Sequence, residues 1–205
     1  MVTYKGLPGP VISDHLTREA SRPLYEGGTT FQIGRIDMVA NTGTYVDAPF
    51  HRWEEGVDLA RLPLSSVAGL DGILIAAPFE RGLAVGEDFL EGKEVRGKAV
   101  LVCTGWSSFW GSASYFRRSS HLTSSAARAL VARGAAIVGI DSHNIDDTED
   151  RTRPVHSILL RAGIPVVEHL TGLEALPSSG FRFFAVPVKV KGMGTFPVRA
   201  FAETA

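Results

Sequence analysis

Asn41-Thr42-Gly43-Thr44-Tyr45-Val46-Asp47-Ala48-Pro49-Phe50-His51 puts small residues, a carboxylate, a proline and a histidine into one turn-prone segment. Gly43 permits backbone angles that other residues resist, or a close approach by a ligand. Pro49 fixes its own backbone and biases Ala48 toward an extended shape. Asp47 and His51 are therefore expected on a stiff, irregular loop, a good mount for chemical groups. Taken in isolation, the same composition also describes a solvated turn with a capping Asp and a surface His.

The flanking sequence supplies the frame. Phe31 to Val39 alternates loosely and predicts a strand feeding the loop. Before it, Pro8 and Pro10 and then Val11-Ile12 predict an extended lead-in. Asp14 and His15 read as a helix cap or turn and a surface histidine. After the loop, Leu59 to Leu64 predicts a short helix or turn, and Glu87 to Leu90 a helical turn. Apolar runs at Gly72 to Ala77, Ala99 to Cys103, Ala135 to Ile140 and Ile164 to Val167 predict buried strands, the last ending on Glu168. Thr123 or Ser124 can cap a helix through Arg133 that Gly134 ends. Pro154 can start a second helix through Leu160, stopped by Gly163. Phe183 to Val190 and Pro197 to Phe201 are the last predicted strands. Short strands interleaved with modest helices predict an α/β fold with a mixed sheet.

A chain of 205 residues, 44% of them hydrophobic, suits one domain over 1–205 with a substantial core. Lys plus Arg number 21 against 22 Asp plus Glu, and no basic run occurs, which argues against a nucleic-acid or anionic-membrane surface. The single cysteine, Cys103, excludes an intrachain disulfide and predicts a reducing compartment. It continues an apolar run with no basic neighbour in sequence, so a structural thiol is the expectation rather than a nucleophile. The N-terminus lacks the basic start and apolar run of a secretory signal. The longest apolar runs, such as Gly72 to Phe79, are too short to cross a bilayer. The expectation is a soluble cytoplasmic protein acting on a small molecule.

The opening segment resembles the signature of the cyclase family of metal-dependent hydrolases, which includes kynurenine formamidases and isatin hydrolases. The family pattern is His-x-Gly-Thr-His-x-Asp-x-Pro-x-His. Gly43, Thr44, Asp47, Pro49 and His51 match it; Asn41 and Tyr45 stand where the first two histidines belong. Thr104-Gly105-Trp106, His156-Ser157-Ile158-Leu159-Leu160, Gly163 to Glu168 and Pro197-Val198-Arg199-Ala200 also resemble the family, so the likeness runs from Ile12 to Ala202. It implies a single compact α/β domain with a mixed, mainly β, barrel-like sheet and flanking helices. It also implies that the N-terminal region lies over the active site, and that the chain forms a homodimer or homotetramer.

The resemblance carries Asp47, His156 and Glu168 over as metal ligands and His51 as the base. Asn41 and Tyr45 replace the histidines of a first metal. An amide oxygen is a weak ligand for zinc, and a phenol binds well only when deprotonated. The expectation is one zinc or manganese ion on Asp47, His156 and Glu168, or a metal-free site in which the same groups serve as hydrogen-bonding partners. Without the resemblance, Glu168 reads as a strand-end carboxylate reaching solvent and His156 as an ordinary helix residue. Tyr45 either donates to a substrate carbonyl or fills the vacated space, and Asn41 is an alternative oxyanion donor. Trp53 either stacks on a planar substrate or packs. Trp106 opens an aromatic loop that is either a substrate contact or a packed surface. His121, His143 and His169 match no ligand and read as surface or structural; on a strand, His169 would point away from Glu168. Three functions follow: hydrolysis of a small cyclic or formyl amide or lactone; metal-independent cyclisation, dehydration or isomerisation of a small carbonyl compound; or non-catalytic binding of a small molecule.

Overall fold

The apolar runs of the sequence become the middle of one sheet. The structure, a computed structural model, describes residues 9–204. Its elements are β1 (Val11–Leu16), α1 (Arg18–Ser21), β2 (Ile33–Asp37), β3 (Tyr45–Asp47), β4 (Ala68–Ala76), β5 (Ala84–Val85), β6 (Ala99–Cys103), β7 (His121–Leu122), α2 (Ser124–Arg133), β8 (Ile137–Ile140), α3 (Pro154–Arg161), β9 (Val166–Glu168), β10 (Ser179–Phe184), β11 (Thr195–Pro197) and β12 (Phe201–Thr204), with short 3-10 turns between them.

The main sheet has eight strands in the order β11-β3-β9-β8-β6-β4-β10-β12. β4, β6, β8 and β9 run parallel, and the outer strands are antiparallel. Central strands covered on both faces need apolar side chains at every position. Ala99, Val100, Leu101 and Val102 are accordingly all buried. One face, with Val100, Val102, Val138, Ile140 and Val166, packs against Leu130 of α2 and Leu159 of α3. The other, with Leu101, Ile137 and Val167, packs against Phe181 and Phe183. Burying each of these large side chains contributes about 1.5–3 kcal/mol.

The sheet curls into a half-barrel, and the chain itself requires it. β11 and β12 lie on opposite edges of the sheet, yet only residues 198–200 join them. Such a short link reaches at most about 14 Å, whereas eight flat strands would span about 34 Å. The edges must therefore approach one another.

Several local expectations shift. Asp14 and His15 lie inside β1, not at a helix cap; Thr17 caps α1, accepting from the Ala20 N–H at 3.1 Å. The last predicted strands begin earlier or divide, because the Pro197 to Phe201 stretch is the crossing between the two edges. Thr123 caps α2 and Gly134 ends it in a left-handed conformation, as predicted. The predicted lead-in at residues 1–8 lies outside the described residues.

Candidate active site

Four elements converge beside Asp47. Tyr45 and Asp47 lie two residues apart on β3 and so face the same side. The register sets Glu168 of β9 opposite Tyr45 and Thr195 of β11 opposite Asp47. Both pairs are joined through their side chains. The Tyr45 hydroxyl donates a short hydrogen bond to Glu168 Oε2, and the Thr195 hydroxyl donates one to Asp47 Oδ1.

Thr195 also organises His51. Its single proton goes to Asp47, so its oxygen accepts from His51 Nδ1 at 2.7 Å. That bond puts the imidazole proton on Nδ1 and leaves the Nε2 lone pair free. His51 closes the 3-10 turn Pro49–His51. Gly194 lies so close beneath that turn that a Cβ there would stand 2.2 Å from the His51 nitrogen.

His156 sits in the first turn of α3. Asp146 accepts from the backbone N–H groups of Val155 at 2.6 Å and His156 at 3.1 Å, capping the helix that Arg153 leaves uncapped. The same carboxylate holds His156 Nδ1 at 2.6 Å. His156 Nε2 is thereby aimed inward, 3.5 Å from Asp47 Oδ2 and 3.5 Å from Glu168 Oε1. Glu168 Oε1 also accepts from the Ile145 N–H at 2.6 Å.

The charges are crowded and dry. Burial opposes a charge on His156, but Glu168, Asp146 and Asp47 outweigh it and push its pKa up to about 10. Burial, reinforced by Asp47, raises Glu168 to about 7 against the pull of His156, Tyr45 and the Ile145 N–H. Burial, then Glu168 and Asp47, holds the Tyr45 phenol well above its usual range, although a hydrogen bond from Asn41 pulls the other way. Tyr45 is thus a neutral donor at neutral pH, not a phenolate ligand.

The donor set fits one divalent cation. Asp47 is fully buried and its Oδ2 has no hydrogen-bond partner, which is costly for an isolated carboxylate. His156, held from behind by a carboxylate, has the support typical of a ligating imidazole. Ligand atoms of Asp47, His51 and His156 lie within 4.8 Å of one another. Glu168 is outside that group, with its Oε1 3.5 Å from His156 Nε2.

Asn41, Tyr45, His51, His156 and Glu168 line one cavity of about 200 Å³, together with Arg52, Asn144 and Arg153. Trp53 is not among them; it packs between Arg52 and Arg161, with guanidinium carbons 4.3 and 4.7 Å from its ring. Trp106 is buried away from it and donates its indole N–H to the Tyr115 carbonyl at 3.0 Å. His169 leaves the strand with φ at 57°, instead of continuing it to the far face. Tyr115 Oη lies 2.9 Å from His169 Nδ1, whose ring tilts against Tyr45 at 5.3 Å. His169 also borders a larger, mostly apolar cavity of about 820 Å³ that reaches Ile36 and Met38. Thr195, Asp146, Asn144 and Arg153 escaped the sequence reading. Each sits in a polar stretch or at a strand start with no spacing to mark it, and only register or helix entry brings it to the site.

The family model described as "Putative cyclase" matches residues 10–147. The kynurenine formamidase of Bacillus cereus (strain ATCC 10987 / NRS 248) is 27% identical over 183 residues, 89% of this chain and 84% of its own. That of Erythrobacter litoralis is 27% identical over 169 residues, 80% of this chain and 73% of its own. Isatin hydrolase A from Labrenzia aggregata, solved with benzyl benzoate, superposes with a TM-score of 0.80 at 21% identity, covering 100% of this chain and 88% of its own. A potential metal-dependent hydrolase with cyclase activity gives a TM-score of 0.72 at 26% identity, covering 94% and 96%. The chain belongs to the cyclase family.

Proposed function

We propose that this protein hydrolyses an amide or lactone bond in a small molecule, with His51 as general base and one divalent ion on Asp47, His156 and Glu168. The observation that carries the reading is the buried Asp47 Oδ2, which accepts no hydrogen bond and lies 3.5 Å from an imidazole that Asp146 holds in place. Such an ion would supply Lewis-acid polarisation of a carbonyl and acidification of water. The Asp47–Thr195–His51 chain fixes the tautomer in which His51 Nε2 can take a proton. The amides of Asn41 and Asn144, both in the cavity wall, are the neutral donors for an oxyanion. Tyr45 fits a supporting role, since its only proton is engaged by Glu168.

That same bond favours a second reading. With Glu168 satisfied by Tyr45 and Ile145, the groups also suit metal-independent acid–base chemistry on a small carbonyl compound. Elemental analysis of protein purified without a chelating tag separates the two. About one equivalent of zinc or manganese, lost in Glu168→Ala along with hydrolysis of formamides and lactones, is the expected result. No ion after incubation with excess metal would overturn the one-metal reading and leave the metal-independent one.

A further inference from the structure

Two cations stand at the mouth of the small cavity. Arg52 and Arg153 line it beside His51 and His156. Among the described residues, Arg61, Arg118, Arg161 and Arg182 form ion pairs with carboxylates and the other arginines do not; Arg52 and Arg153 are the ones that line this cavity. Among the described residues, neither Arg52 nor Arg153 has a carboxylate within 4.0 Å. Asp150 feels the charge of Arg153 but lies outside ion-pair distance.

Both guanidiniums are nevertheless held in place. Arg52 donates from Nε to Ser157 Oγ at 3.1 Å and lies over the Trp53 ring. Arg153 donates from Nη1 to Asn144 Oδ1 at 2.8 Å. Its backbone is left-handed, with φ at 49°, a conformation costly for a side chain of this size. A guanidinium carries five N–H donors, and these bonds leave most of them unused. Fixed, unpaired, fork-shaped donors at a cavity mouth match a carboxylate. The floor below holds the reacting groups, and the cavity, at about 200 Å³, admits only a small molecule.

We propose that Arg52 and Arg153 bind the carboxylate of a small anionic substrate, orienting its amide or lactone carbonyl toward His51. This rests on the hydrolase reading for the second half only; the anion site stands on its own geometry. The test compares N-formylglycine with the neutral N-formylglycinamide, by calorimetry and by initial rates, at low ionic strength. The expected result is at least about ten-fold tighter binding of the anion, the size of a charge-assisted pair, weakening as salt is added. Arg52→Gln and Arg153→Gln should each remove much of that preference, and the double variant nearly all of it. Thermal melts confirm that the variants fold. Equal binding of the two compounds overturns the proposal, as does an anion preference that survives in the double variant. An arginine-dependent preference without turnover of either compound upholds the anion site and removes the hydrolase reading. Turnover of both with equal kcat/KM upholds the hydrolase and removes the anion site.

Discussion

At the residue scale, the tie between His51, Thr195 and Asp47 makes a definite statement about protons. His51→Ala should lower kcat by about 10²–10⁴ with little change in KM; activity within two-fold of the parent would remove His51 as base. Thr195→Val keeps the shape but breaks the link, so kcat should fall at least about ten-fold with a shifted acid limb of the pH–rate profile, and Thr195→Ser should restore both. His169 gives a stability prediction. Burial, then the nearby His143, lowers its pKa from 6.5 to about 4. The folded state therefore binds fewer protons than the unfolded chain between those values. Its contribution is fully present above pH 6.5 and is lost as pH falls toward 4, at about 1.4 kcal/mol per unit. His169→Asn, which tolerates the left-handed backbone, should flatten the acid side of the stability curve by about one proton in a denaturant titration series. An unchanged slope would mean that the ring is not desolvated as described. The meeting of Asp47, His51, His156 and Glu168 was legible only through the family resemblance; alone, the loop also reads as a solvated turn, His156 as an ordinary helix residue and Glu168 as a strand-end carboxylate. Thr195 was not legible, because a lone threonine has no signature until the register of β11 on β3 sets it against Asp47. The same holds for Asp146, which becomes visible only when α3 needs a cap.

At the scale of elements, apolar runs and caps predicted the parallel strands and both longer helices, because burial on two faces and helix-end chemistry are local demands. The edge strands were misjudged, since their limits come from the partner strand and the crossing at residues 198–200 rather than from their own residues. Close packing between elements yields the next prediction. The loop entering β11 presses on the turn that carries His51, with room at Gly194 for hydrogen alone. Gly194→Ala should reduce activity at least as severely as Thr195→Val while leaving the far-ultraviolet circular dichroism of the sheet and helices close to that of the parent. Retained activity would show that the turn can retreat without losing the base. By contrast, Thr123→Ala at the start of α2 should cost about 1 kcal/mol in denaturant melts and leave kcat untouched.

At the scale of the molecule, the hairpin of β1 and β2 is the exception to burial. Among the described residues its strands pair only with each other, and Val11, Ile12, Ile33 and Ile36 are each at least half exposed. An isolated two-stranded hairpin is marginal in water, and so much apolar surface suits association. The expectation is a homodimer or homotetramer in sedimentation, with Ile12→Glu/Ile36→Glu shifting it toward the 22.0 kDa monomer; a monomeric parent would contradict this.

The distance along the chain between Asp47 and its partner Thr195, 148 residues, also orders events in time. A ribosome presents Asp47 long before Thr195 exists. Closing so large a loop is entropically slow, whereas α2 and the parallel strands can form from near neighbours. On refolding, ellipticity should therefore recover first and turnover last. On that order of events, the candidate site is completed after the sheet that carries it.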